Sequence, residues 1–138
     1  MAYKTEFEFF LNVEKNLKKT RKNIITQYRP FNNLRLTVDI KSQFKGIEEW
    51  RELKIIEYKG KGRSLQNLWK GIGKVKIMQR LTNKLGTDSK LDIMNILTIP
   101  ELDFNSLHNE IKEMVISMVP FEIFTHIGSL ELLYDKEL

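Results

Sequence analysis

A chain of 138 residues with 41% hydrophobic content has the size and composition of one folded domain with a single core, which excludes a disordered chain. Without cysteine it can have neither a disulfide framework nor a thiolate metal site, and no run approaches the roughly 20 apolar residues of a membrane span. The formal charge of +5 conceals a polarity: residues 1–90 hold 21 Lys/Arg against 9 Asp/Glu, and residues 91–138 hold 2 against 9.

In chain order, Phe7, Phe10, Val13, Leu17 and Ile24 recur at helical steps and predict a helix from Thr5 to about Asn23. Lys15, Lys18, Lys19 and Lys22 fall on its other side. After Pro30, Leu34, Leu36, Val38 and Ile40 alternate with Arg35, Thr37, Asp39 and Lys41, the period-2 pattern of a half-buried strand. Residues 42–73 fit either strand or helix. Within them, Leu53 to Tyr58 (LKIIEY) reads as a strand, and Gly60 and Gly62 break the chain.

Ser64 can cap a short helix carrying Leu65, Leu68 and Trp69. Gly71 and Gly73 each cost a helix roughly 1 kcal/mol relative to alanine. Val75, Ile77 and Leu81, alternating with Lys74, Lys76 and Arg80, therefore read as a strand. Thr82 to Lys90 is turn chemistry, and Leu91 to Ile99 a central strand stopped by Pro100. Asp103 is placed to cap a helix with the stripe Phe104, Leu107, Ile111, Met114, Val115 and Met118, which Pro120 ends. Phe121–Thr125 and Leu130–Tyr134 read as a hairpin around Gly128. The expectation is an α+β fold in one domain spanning 1–138, a mainly antiparallel sheet with two principal helices packed on one face.

Chemistry is sparse. His108 and His126 have no second histidine or carboxylate at ligand spacing, so no zinc site is expected. No Ser-His-Asp or Gly-x-Ser-x-Gly pattern occurs, and Gly60-Lys61-Gly62-Arg63-Ser64 matches neither the dinucleotide fingerprint nor the P-loop. One constellation is sharper: Asp39 on one expected strand, Glu57-Tyr58-Lys59 on the next, then a short helix bearing Gln66. This order, over about residues 5–82, resembles the PD-(D/E)xK nuclease superfamily. The resemblance implies that an Asp and the Glu of a strand-borne E-x-K hold Mg²⁺ while the Lys assists the attacking water, here Asp39, Glu57 and Lys59. Asp39 falls late in its expected strand, and valine stands before it where the family pattern has proline. An acid two places before a lysine also occurs at Asp39-Lys41, Glu52-Lys54 and Glu110-Lys112, as expected by chance in a lysine-rich chain.

The remaining signal is the basic surface: Lys15, Lys18, Lys19, Lys22, Arg35, Lys54, Lys74, Lys76 and Arg80 as a binding set. Lysine suits point-charge contact better than base readout, and aromatic residues for stacking are few among these positions. The expected function is a non-enzymatic structural or adaptor subunit of a larger viral or mobile-element assembly. It would dock on other subunits, or on copies of itself, through the basic N-terminal surface and the acidic C-terminal hairpin. The alternative is a nucleic-acid-binding protein whose catalytic version is a Mg-dependent nuclease. No catalytic residue, cofactor or metal is expected outside that alternative, and no membrane partner. The acid-bearing N-terminus does not read as a signal peptide, so a cytoplasmic protein, or one in a particle assembled in the cytoplasm, is expected.

Overall fold

Two kinds of sequence pattern, period 3.6 and period 2, separate cleanly in the computed structural model, which describes residues 2–133. Its order is α1 (Glu6–Thr20), β1 (Lys22–Tyr28), β2 (Val38–Phe44), β3 (Ile47–Leu53), β4 (Glu57–Tyr58), β5 (Gly62–Arg63), α2 (Leu65–Leu85), β6 (Asp92–Pro100), α3 (Glu101–Asn105), α4 (Asn109–Met118), β7 (Phe121–Phe124) and β8 (Leu130–Leu133). The fold is α+β. Six strands form one mostly antiparallel sheet in the order β1-β2-β3-β6-β7-β8, and β4 and β5 pair in a separate small ribbon. The β1–β2, β2–β3 and β7–β8 pairs are antiparallel, while β3–β6 and β6–β7 are parallel.

The parallel centre dictates where the helices go. Parallel strands are joined by crossovers and are buried on both faces. Accordingly the two long helices cover two faces instead of sharing one. Phe9, Val13 and Leu17 of α1 pack with Ile40, Leu53, Ile55 and Phe124. On the other side, Leu68, Ile72 and Val75 of α2 pack with Leu97, Ile99, Phe121 and Ile123, joined by Val115 of α4. Met78 extends this layer to Trp50, Val38 and Phe31. Thr5 caps α1, its hydroxyl accepting from the Glu8 N–H at 3.1 Å.

Several expected elements are corrected. The first helix ends at Thr20, and the segment after it is the edge strand β1, with Ile24 among its residues. Asn23 and Gln27 of β1 take left-handed φ values of 53° and 50°, which breaks the regular alternation that would have announced a strand. The run LKIIEY is not one strand, because β3 ends at Leu53 and β4 begins at Glu57. Residues 65–85 are one 21-residue helix, not a short helix followed by a strand. The helix from Asp103 is two pieces, with His108 in the break capping α4 by accepting from the Glu110 N–H. The last hairpin stands as expected from Phe121 to Leu133; Tyr134 lies outside the described residues.

Gly71 explains why α2 tolerates glycine. A Cβ there would lie 2.6 Å from Leu97 Cδ1 and 2.9 Å from Lys54 Cγ, so the missing side chain is what lets α2 approach the sheet. Gly73 has nothing within 4 Å. Gly71→Ala is expected to destabilise the protein by about 1–3 kcal/mol through overpacking, less what helix propensity returns. Gly73→Ala is expected to stabilise it by up to about 1 kcal/mol. Urea unfolding of the two variants beside wild type reads both signs.

Candidate functional site

The β2–β3 ladder runs from Phe44↔Ile47 to Ile40↔Arg51. One step further, backbone pairing gives way to a side chain: Asp39 Oδ2 accepts from the Leu53 N–H at 2.8 Å. This places Asp39, the second residue of β2, beside the end of β3, where Glu52, Leu53 and Lys54 follow one another. Glu52 is 8% exposed at its side chain. Lys54 Nζ lies 3.7 Å from Glu52 Oε2 and 3.8 Å from Glu6 Oε1 on α1. Lys74 Nζ, from α2, lies 3.1 Å from Glu52 Oε1. That approach is a close ion pair, and Lys74 is what answers the buried Glu52 Oε1.

The cluster therefore draws on α1, β2, the end of β3 and α2. Burial and then the neighbouring Asp39 carboxylate push the Glu52 pKa up to about 7, against the pull of Lys74 and Lys54. Two carboxylates forced together in a half-dry place are a ready site for positive charge. Among the described residues no group of three or more His, Cys, Asp or Glu is placed to hold a metal ion. The donors here are two carboxylates, which is the protein share of many Mg²⁺ sites.

Asp103 steadies the segment after Lys54. It is fully buried, and its Oδ2 accepts from the N–H groups of Ile56 at 2.6 Å and Glu57 at 3.2 Å. Burial raises its pKa although those two bonds oppose the shift. The expected helix cap is thus a tether from α3 to the loop beyond β3. Lys54 itself donates its N–H to the Thr98 carbonyl at 3.1 Å.

Beneath the other face of β3 lies a second charged group. Arg51 donates to Glu122 through Nε at 2.7 Å and Nη2 at 2.9 Å, and through Nη1 to Glu49 at 2.8 Å and Ser42 at 3.1 Å. Thr98 adds a 2.7 Å bond to Glu122, and Arg21 a 2.8 Å bond to Glu49. Burial alone would raise the Glu49 pKa, but Arg51 and Arg21 hold it below the usual range. This network is closed on itself and spans β2, β3, β6 and β7. Its role is to fix the strand that carries Glu52.

Of the trio expected from sequence, Asp39 is in the cluster. Glu57 is in the β4–β5 ribbon opposite Arg63, and Lys59 is exposed in the turn that joins β4 to β5. Neither makes an ion pair or side-chain hydrogen bond to Asp39 among the described residues. The E-x-K spacing that does arrive beside Asp39 is Glu52-Leu53-Lys54, one of the copies set aside as chance. The signal that would have found it is the strand boundary: Glu52 directly precedes the end of β3. Gln66 is exposed at the start of α2.

The nine cations of the expected binding set are dispersed. Lys15, Lys18 and Lys19 are exposed on α1, Lys22 at the start of β1 and Arg35 in the loop before β2. Lys76 and Arg80 are exposed on α2, across the sheet from α1, while Lys54 and Lys74 belong to the carboxylate cluster. His126, exposed, pairs with Glu101 at 2.8 Å. A depression of about 810 Å³ lies between α1, α3 and the β7–β8 turn and includes none of the cluster residues.

No protein-family model and no curated protein matches the sequence. Among solved structures, the chain is similar to an XisH family protein from Nostoc punctiforme, with TM-score 0.65 and 12% identity over 91% of this chain and 98% of that one. It also matches the small subunit of the heterodimeric restriction endonuclease R.BspD6I, with TM-score 0.43 and 13% identity over 86% and 69% of the two chains. The first likeness shows that the two chains share a fold along nearly their whole length. Among the described residues no helix is long and apolar enough to cross a membrane.

Proposed function

We propose that this protein is a divalent-cation-dependent nuclease of the PD-(D/E)xK kind, with Asp39 and Glu52 as the cation-holding carboxylates and Lys54 as the lysine of the motif. The observation that carries the reading is the meeting of Asp39 with Glu52-x-Lys54 at the ends of two adjacent strands, the arrangement the motif requires. The residues fit a hard cation. Both side chains offer carboxylate oxygens, Glu52 is buried beside Asp39, and the neighbouring carboxylate makes its charge costly unless cations offset it. A bound divalent cation supplies Lewis-acid stabilisation of charge developing on a phosphoryl oxygen.

The chain's own residues supply the rest. The Leu53 N–H orients the Asp39 carboxylate. Lys54, held between Glu6 and Glu52, presents an ammonium group and its protons beside the carboxylates. The net charge of +12 over residues 1–90 favours approach of a nucleic-acid backbone, with a strong salt dependence.

The test is cleavage of plasmid DNA and of RNA with Mg²⁺ or Mn²⁺ by wild type, Glu52→Ala, Lys54→Ala and Glu57→Ala. Loss of about a hundredfold or more in the first two variants, with Glu57→Ala near wild type, is expected. Cleavage indifferent to Glu52 and Lys54 overturns the site. Absence of both cleavage and nucleic-acid binding returns the chain to the adaptor reading, in which the same charge polarity serves docking between protein subunits.

A further inference from the structure

The Glu52 carboxylate has little room beside it. The space on its α2 side, walled by the apolar Val38, Trp50, Val75 and Met78 and lined by neither Asp39 nor Lys54, amounts to about 10 Å³, the lower edge of what one water molecule needs. Lys74 closes it, with Nζ 3.1 Å from a Glu52 oxygen that nothing else bonds. The ammonium neutralises that oxygen at short range. Mg²⁺ keeps several of its waters in protein sites, so an ion joining Glu52 competes with the ammonium that now faces its Oε1.

We propose that Lys74 is a resident counter-cation of Glu52, which a divalent cation must displace from that carboxylate in order to bind it. This rests on Glu52 being a cation ligand, as argued above. Lys74 is suited to the exchange because a lysine ammonium is a compact charge on a flexible stem, and its side chain, 28% exposed, has solvent to swing into. Lys54 faces the other Glu52 oxygen at 3.7 Å and divides its charge with Glu6. Lys74 thereby stabilises the metal-free fold and sets the cation concentration at which the site loads.

The experiment titrates Mn²⁺ and Mg²⁺ into wild type, Lys74→Met, Lys74→Arg, Lys76→Met and Glu52→Gln, reading binding by calorimetry and unfolding temperature. Lys76 is exposed on the same helix, so its loss removes equal net charge outside the cluster. Lys74→Met is expected to lower the half-saturating cation concentration by about tenfold or more and to melt earlier than wild type without metal. Lys74→Arg should stay close to wild type in both readings, and Lys76→Met should shift binding by less than about twofold. Should Lys74→Met prove insoluble, Lys74→Gln makes the same comparison. If removing the Lys74 charge leaves binding equal to Lys76→Met, or weaker, while Glu52→Gln abolishes it, the counter-ion role falls and the cation site stands. If wild type binds no cation, both fall together.

Discussion

Replacing Arg51 with alanine is expected to destabilise the protein by about 3–5 kcal/mol, the largest effect of any single substitution considered. Arg51 is completely buried, and its guanidinium makes a two-pronged contact with Glu122 plus bonds to Glu49 and Ser42. Burial alone would ease the proton off Arg51, but Glu122 and Glu49 hold it more firmly than usual. Without the arginine, Glu122 has only Thr98 and must either keep an uncompensated charge or take up a proton. Domains of this size are stable by about 5–15 kcal/mol, so the variant sits near the edge of folding. Urea denaturation of Arg51→Ala and of the double variant Arg51→Met with Glu122→Leu separates two explanations. If the loss comes from stranded charge, the double variant recovers part of it, because the Glu122 charge goes with the guanidinium while Glu49 keeps Arg21 and Ser42, and the remaining cost is the Thr98 hydroxyl that loses its partner. A double variant as unstable as the single one would mean that the network itself, and not charge matching, holds β2, β3 and β7 in register.

The second large effect has the opposite sign. In protein stripped of divalent cations with EDTA, Glu52→Gln is expected to raise stability at pH 8 and to leave it nearly unchanged at pH 4. The reason is linkage. The folded-state pKa of Glu52 is raised to about 7 by burial and by Asp39, against an unfolded value of 4.5. A raised pKa means that the folded chain holds the proton more tightly than the unfolded one. The benefit is complete below pH 4.5, declines as pH rises between the two values, and is gone above about 7. The full swing corresponds to about 3 kcal/mol. Glutamine does not titrate, so it escapes the decline, less what Lys74 and Lys54 lose as partners. A gain of about 1–3 kcal/mol at pH 8 is therefore expected. Urea titrations of both proteins at the two pH values give the answer, and a difference independent of pH would remove the electrostatic account. A residue whose removal stabilises the fold is held there at a cost, as is common where function and not stability chooses the side chain.

Both effects arise on one strand. Arg51 and Glu52 are sequence neighbours facing opposite sides of the sheet, one in a closed network and one in an open cluster. The closed network gives β3 a rigid seat, and that seat puts Glu52 and Lys54 beside Asp39.

Much of this was legible in the amino-acid order. The apolar stripe of α1, the long apolar run of β6 and the hairpin of β7 and β8 announced themselves by period and by their bounding prolines and glycines. The α+β class and the mostly antiparallel sheet followed from them. Local pattern failed where a distant contact reversed a local preference. Two glycines argued against α2, yet Gly71 is where the helix meets Leu97 and Lys54. Asp103 has the look of a cap, yet its carboxylate ties down a loop 46 residues away in sequence.

The composition and order of the chain by themselves determined its secondary-structure class and the presence of an aspartate followed by several acid-x-lysine pairs. Which pair completes the cluster was decided only by tertiary structure. The E-x-K spacing is short and lysine is abundant, so the sequence offers several equivalent copies. Pairing of β2 with β3 brings a single copy to Asp39, because strand register is set by burial and ladder geometry and not by the motif. The closeness of Lys74 and the raised pKa of Glu52 are likewise properties of packed space, which no spacing along the chain encodes.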